Sequence, residues 1–166
     1  MPVEEVPMPA RGTKGIVGLD KEGANDIERN TYAVTRRFIE LFEAKEVSKA
    51  YAMIGYRGRF ILIGNTPVSG VFVGWHQFME RMGGVWKDLH SPSTTRFSEV
   101  IVDGDRVVML ASGEGYALEG RQYTQPYYAF VARVEGDGLA ELIEFCDTVM
   151  IEQAYFGKKL VPMGTN

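Results

Sequence analysis

Leu139-Ala-Glu-Leu-Ile-Glu-Phe-Cys-Asp-Thr-Val-Met150 is the stretch whose reading decides the fold. It is rich in apolar and β-branched residues, the mark of a strand whose side chains alternate between two faces. Strict alternation puts Ile143, Phe145 and Asp147 on one face and Leu142, Glu144 and Cys146 on the other. A carboxylate in line with Ile and Phe is costly to desolvate. Asp147 is therefore either a desolvated acid facing an apolar pocket, or a residue at the strand end that meets water or caps a following turn.

Upstream of this strand, turn signals divide the chain from Ser93 onward into four antiparallel strands. Asp103-Gly104 is a strong two-residue hairpin signal, and Glu119-Gly120 and Glu135-Gly-Asp-Gly138 separate the later strands. Two glycines in Ser112-Gly-Glu-Gly115 predict a bulge or sharp bend that lets the sheet curl. The first half is helical. Asn25 is a candidate cap with Glu28 as its capping-box partner, and Ile27, Val34, Phe38, Leu41 and Phe42 follow at helical spacing. A second helix, about residues 46–54, buries Val47, Ala50, Tyr51 and Ile54 and ends at Gly55. Arg59-Phe-Ile-Leu-Ile-Gly64 is a short strand, and Asn65-Thr-Pro-Val-Ser-Gly70 a turn-rich break. After Gly74 a third helix carries Trp75, Phe78, Met79, Met82 and Trp86 on one stripe, which reads as core or as a pocket wall.

The order of elements predicts an α+β domain: a curved antiparallel β-sheet with three helices from the N-terminal half packed on its concave face. Residues 1–24 read as an irregular arm, 25–157 as the domain and 158–166 as a tail that could cross a pocket mouth. A chain of 166 residues, 45% of them hydrophobic, is most simply one domain with a sizeable core. Its formal charge of −4 includes no basic, aromatic-interleaved cluster, so no nucleic-acid partner is expected. No apolar run approaches the roughly 18 residues of a spanning helix, and no signal pattern opens the chain, so it reads as cytoplasmic and free of membranes. One cysteine and two distant histidines offer neither a disulfide nor a metal site, and no phosphate-loop sequence is present. Cys146 reads as a small packing residue.

The length, the element order, Gly74-Trp-His-Gln-Phe78 and the terminal Leu-Ile-Glu-Phe-Cys-Asp-Thr together resemble the nuclear transport factor 2-like, or SnoaL-like, superfamily, to which ketosteroid isomerase belongs. The resemblance covers roughly residues 25 to 157. It implies a cone-shaped domain with an apolar pocket between sheet and helices, and a homodimer. Isomerases, cyclases, dehydratases, epoxide hydrolases and non-catalytic members share that fold, so the site must name the function. The ketosteroid isomerase pattern falls on Phe38, Tyr128 and the acid-free Ile63-Gly64-Asn65, and the limonene-type epoxide hydrolase pattern on Ala111 and Gly113, so neither set of acids is complete. SnoaL-like polyketide cyclases place an acid/base aspartate on the last strand, which falls on Asp147.

The expected site thus has Asp147 as general base, Tyr128 as hydrogen-bond donor to a developing enolate and His76 as a second acid/base. Phe38, Tyr56, Phe78, Met82, Trp86, Ile143 and Phe145 are its expected apolar lining. The expected function is cofactor-independent proton transfer on a small apolar carbonyl compound. The alternatives are a non-catalytic small-molecule binder or an assembly module. A structural role in a turn is expected for His90.

Overall fold

The computed structural model describes residues 16–19, 21–86 and 91–161, with backbone alone at 84–86, 91–93 and 118. Helix α1 (Asp26–Glu43) starts at a complete capping box, in which the Glu28 amide donates to Asn25 Oδ1 at 2.9 Å and the Asn25 amide to Glu28 Oε2 at 3.0 Å. Its buried stripe runs Thr31, Val34, Thr35, Phe38, Ile39, Phe42. That stripe leaves Ile27 in solvent. Helix α2 (Val47–Ala52) is a short second layer, and the chain turns from it into β1 (Arg59–Leu62). Gly58 is needed in that turn because a Cβ there would lie 2.0 Å from the Ile54 carbonyl oxygen.

An additional strand, β2 (Gly70–Val73), follows the expected turn-rich break, and α3 (Trp75–Trp86) comes after it. Then come β3 (Ser91–Asp103), β4 (Arg106–Tyr116), β5 (Gln122–Glu135) and β6 (Gly138–Phe145), and the chain closes with a fourth helix, α4 (Thr148–Phe156). The six strands form one sheet in the order β2-β1-β6-β5-β4-β3. All neighbours are antiparallel except β1 and β6, which run parallel.

Register fixes what each face carries. One cross-sheet row reads Phe72, Phe60, Leu142, Ala132, Val107, Val102, and every member is buried beneath the helices. Phe38, Phe42, Phe97 and Phe130 meet at the centre of this core, with ring centroids 4.9–6.4 Å apart. The next row reads Val71, Ile61, Ile143, Val131, Val108, Ile101 and lies on the face that no described helix covers. No described helix is long and apolar enough to cross a membrane.

The last strand departs from strict alternation. Arg133 pairs with Glu141, but its neighbour Val134 pairs with Leu139, so Ala140 is an extra residue on β6. This bulge inverts the parity counted from Leu139. Leu142 and Glu144 turn inward to the helices, while Ile143 is half-buried and Phe145 exposed on the outer face.

Candidate functional site

A cavity of about 70 Å³ lies between the concave face and the helices. Phe42 of α1, Val47 and Tyr51 of α2, and Phe78 and Met82 of α3 wall it on the helical side. Leu62, Thr95, Gly113, Tyr123, Tyr128 and Glu144 reach it from the sheet. Val68 closes one flank, and Ile151 and Tyr155 of α4 close another. Its size suits a small ligand of a few heavy atoms.

Glu144 is the carboxylate in this cavity. Its side chain is buried, and Tyr51 donates from its hydroxyl to Glu144 Oε2 at 2.8 Å. Burial pushes the Glu144 carboxyl up from an ordinary 4.5 to about 7, and the Tyr51 hydrogen bond draws it partly back. Burial also raises the hydroxyl pKa of Tyr51, Tyr123 and Tyr155, and pushes the half-buried Cys146 thiol up to about 12. The rings of Tyr123 and Tyr155 pack with centroids 5.2 Å apart. Near neutral pH, then, the cavity contains one carboxyl group poised between its two protonation states and several neutral phenols.

Asp147 lies elsewhere. It is exposed and caps α4, with Oδ1 accepting from the amides of Val149 at 2.9 Å and Met150 at 3.2 Å. Its backbone is held by the fully buried Gln125, whose Nε2 donates to the Asp147 carbonyl at 2.9 Å and whose Oε1 accepts from the Asp147 amide at 2.7 Å. Gln125 thus substitutes for the β5–β6 ladder where the chain leaves the sheet, and so positions the α4 wall of the cavity.

Of the other expected site residues, Tyr128, Phe78 and Met82 line the cavity. Phe38 belongs to the solid core behind it, with no solvent exposure. Ile143 and Phe145 face outward because of the Ala140 bulge. Tyr56 is 74% exposed in the turn after α2 and packs against the half-buried His76, their ring centroids 5.5 Å apart. Neither of those two reaches the cavity. The side chain of Trp86 and all of His90 fall outside the described residues. Strand reading missed Glu144 and Tyr51, which share the cavity with Tyr128. The signal available was a second acid on the strand, two residues from Leu142.

No family model and no curated protein matches the sequence. Solved structures do match in shape. An NTF2-like protein of unknown function from Burkholderia pseudomallei K96243 is 18% identical, covers 76% of this chain and 97% of its own, and superposes with a TM-score of 0.63. A SnoaL-like polyketide cyclase candidate from Jannaschia sp. CCS1 is 14% identical over 84% of this chain and 100% of its own, with a TM-score of 0.64. TerC, co-crystallised with polyporic acid, is 16% identical over 76% of this chain and 98% of its own, with a TM-score of 0.65. This chain adopts the nuclear transport factor 2-like, SnoaL-like fold.

Proposed function

We propose that this protein is a cofactor-independent enzyme of the isomerase, cyclase or dehydratase kind, which moves a proton on a small, mainly apolar carbonyl compound held in the cavity. The observation that carries this reading is Glu144: a buried carboxyl group facing the cavity and bonded to Tyr51, its pKa pushed up by burial to about 7. An acid/base works best when its pKa lies near the working pH. As a carboxylate, Glu144 takes a proton from the carbon beside the carbonyl, and Tyr128 donates a hydrogen bond to the enolate oxygen. The proton held by Glu144 is then returned to the intermediate. In this reading Asp147 acts from outside the cavity, by fixing the start of α4, and His76 takes no direct part.

The test is hydrogen–deuterium exchange at the α-carbon of small ketones in D2O, followed by proton NMR. Exchange catalysed by the wild type, rising with pH through about 7 and abolished in Glu144→Gln, is the expected result. Exchange that is absent, or equal in the two proteins, would leave a non-catalytic binding protein as the better reading. The uncovered row of β-branched residues on the sheet supports a second element of the proposal, that the protein works as a homodimer.

A further inference from the structure

The cavity contains a charge without a countercharge. Glu144 is 7% exposed, and among the described residues its carboxylate receives one hydrogen bond, from the neutral Tyr51 hydroxyl. None of the described residues lining the cavity is Lys, Arg or His. Several other described acids are paired with bases, as in Glu28 with Lys21, Glu141 with Arg59 and Glu114 with Arg96. Buried carboxylates are ordinarily paired, since an isolated one is costly to desolvate.

The surrounding walls add a second observation. Phe42, Tyr51, Phe78, Tyr123, Tyr128 and Tyr155 all line the cavity. Aromatic rings attract cations over their faces, the more so when water is excluded. A bare divalent ion does not suit these walls, because it needs several oxygen ligands and the described lining offers one carboxylate. No cluster of three metal-binding side chains occurs among the described residues. An organic cation uses both features, its charge against the carboxylate and its carbon atoms against the rings.

We propose that the cavity takes a small organic monocation, a protonated amine or methylated ammonium, whose nitrogen sits against Glu144. The inference rests on reading the cavity as a ligand site, and stands whether or not Glu144 also transfers a proton on carbon. The cavity volume of about 70 Å³ limits the ligand, or the part of it that enters, to a few heavy atoms.

The groups facing Glu144 are the phenols of Tyr51 from α2, Tyr123 and Tyr128 from β5 and Tyr155 from α4, with the Cys146 thiol just beyond the end of its own strand. Helices α1 and α3 and strands β1, β3 and β4 contribute Phe42, Phe78, Met82, Leu62, Thr95 and Gly113, none of which titrates. Below about pH 7 Glu144 takes up a proton and the attraction for a cation fades.

The test uses three probes that share an isopropyl group, isopropylammonium, 2-propanol and isobutyrate, titrated against the full chain by NMR at pH 8 and pH 5.5. The expected result at pH 8 is that the ammonium binds about tenfold or more tightly than the alcohol, with isobutyrate weakest. That preference should narrow at pH 5.5, vanish in Glu144→Gln and persist in Tyr51→Phe, which keeps the carboxylate. The wild type at two pH values decides the matter even if a variant fails to fold. Alcohol or isobutyrate binding the wild type as tightly as the ammonium at pH 8 overturns this inference alone. No binding by any probe overturns it together with the ligand-site reading. Ammonium preference without α-proton exchange supports it and counts against the proton-transfer enzyme.

Discussion

Glu144 is a destabilising residue at the pH where it is useful. The folded chain holds its proton to about pH 7, whereas an ordinary glutamate releases it near 4.5. Because the folded state binds this proton more tightly, the stabilisation is complete below about 4.5, declines from there to 7 and is lost above 7. At 1.36 kcal/mol per pKa unit, the swing is about 3 kcal/mol. Urea denaturation of the wild type and Glu144→Gln should therefore diverge between pH 5 and pH 8, with the variant gaining by about this amount at the higher pH. Groups such as Glu28, whose pKa is lowered chiefly by its Lys21 hydrogen bond, act in the opposite sense but cancel in the difference. Parallel pH profiles for the two proteins would remove the argument for a desolvated acid. Gly113 offers an independent probe. A Cβ there would meet its nearest neighbours at 3.7–4.0 Å, ordinary contact distances, so Gly113→Ala fits the fold and projects a methyl at the cavity wall. It should raise stability by about 0.5–1 kcal/mol, because alanine loses less freedom in a strand. Ligand affinity should fall, and a calorimetric titration beside a thermal melt separates the two effects.

Most of the architecture was legible because its signals are local. Asn25 with Glu28 marks the start of α1, and Asp103-Gly104 and Glu135-Gly-Asp-Gly138 mark hairpins by their turn chemistry. The inward acid was not legible, because a bulge is set by pairing with a neighbouring strand. Ala140 carries no turn residue to announce it, and one extra residue exchanges every later side chain between faces. Strand β2 was hidden for a similar reason: Gly70–Val73 is short and owes its place to pairing with β1. Helix α4 was not legible either: the strand reading runs to Met150 and residues 151–157 are given no element, although Asp147 and Gly157 stand at its two caps. The capping geometry yields a sharp test of Asp147. Asn caps as well as Asp, whereas Ala costs about 1 kcal/mol. If Asp147 acts only as a cap, Asp147→Asn should match the wild type in stability and α-proton exchange, and Asp147→Ala should lose stability. Loss of exchange in Asp147→Asn would give the acid itself a chemical role. Gln125→Leu removes both partners of the Asp147 backbone, leaving two part-buried groups unpaired at about 1 kcal/mol each. Amide exchange by mass spectrometry should show α4 losing protection first, with β4 and β5 protected at wild-type levels.

The described helices cover one face of the sheet, yet the other face also carries an apolar row. On the uncovered face, Val71, Ile61, Ile143, Val131, Val108 and Ile101 form a single row across all six strands. At about 4.8 Å per strand it is roughly 24 Å long. Phe145, Val73 and Tyr127 add exposed apolar surface nearby. The adjacent row alternates largely polar side chains, Arg59, Glu141, Arg133, Arg106 and Asp103, and supplies the charged border expected around an apolar interface. A second copy related by a two-fold axis presents the same row to itself, and β-branched side chains lose little freedom when they interlock. Sedimentation at micromolar concentration should therefore give a dimer for the wild type. Ile143→Lys should give a monomer, since it sets two like charges against each other at the centre of the row. Ile143 points away from the cavity, so the variant should keep its circular dichroism and its affinity for the ammonium probe. A monomeric wild type would refute the dimer, and loss of probe binding in a folded Ile143→Lys monomer would show that the interface supports the cavity from behind β6.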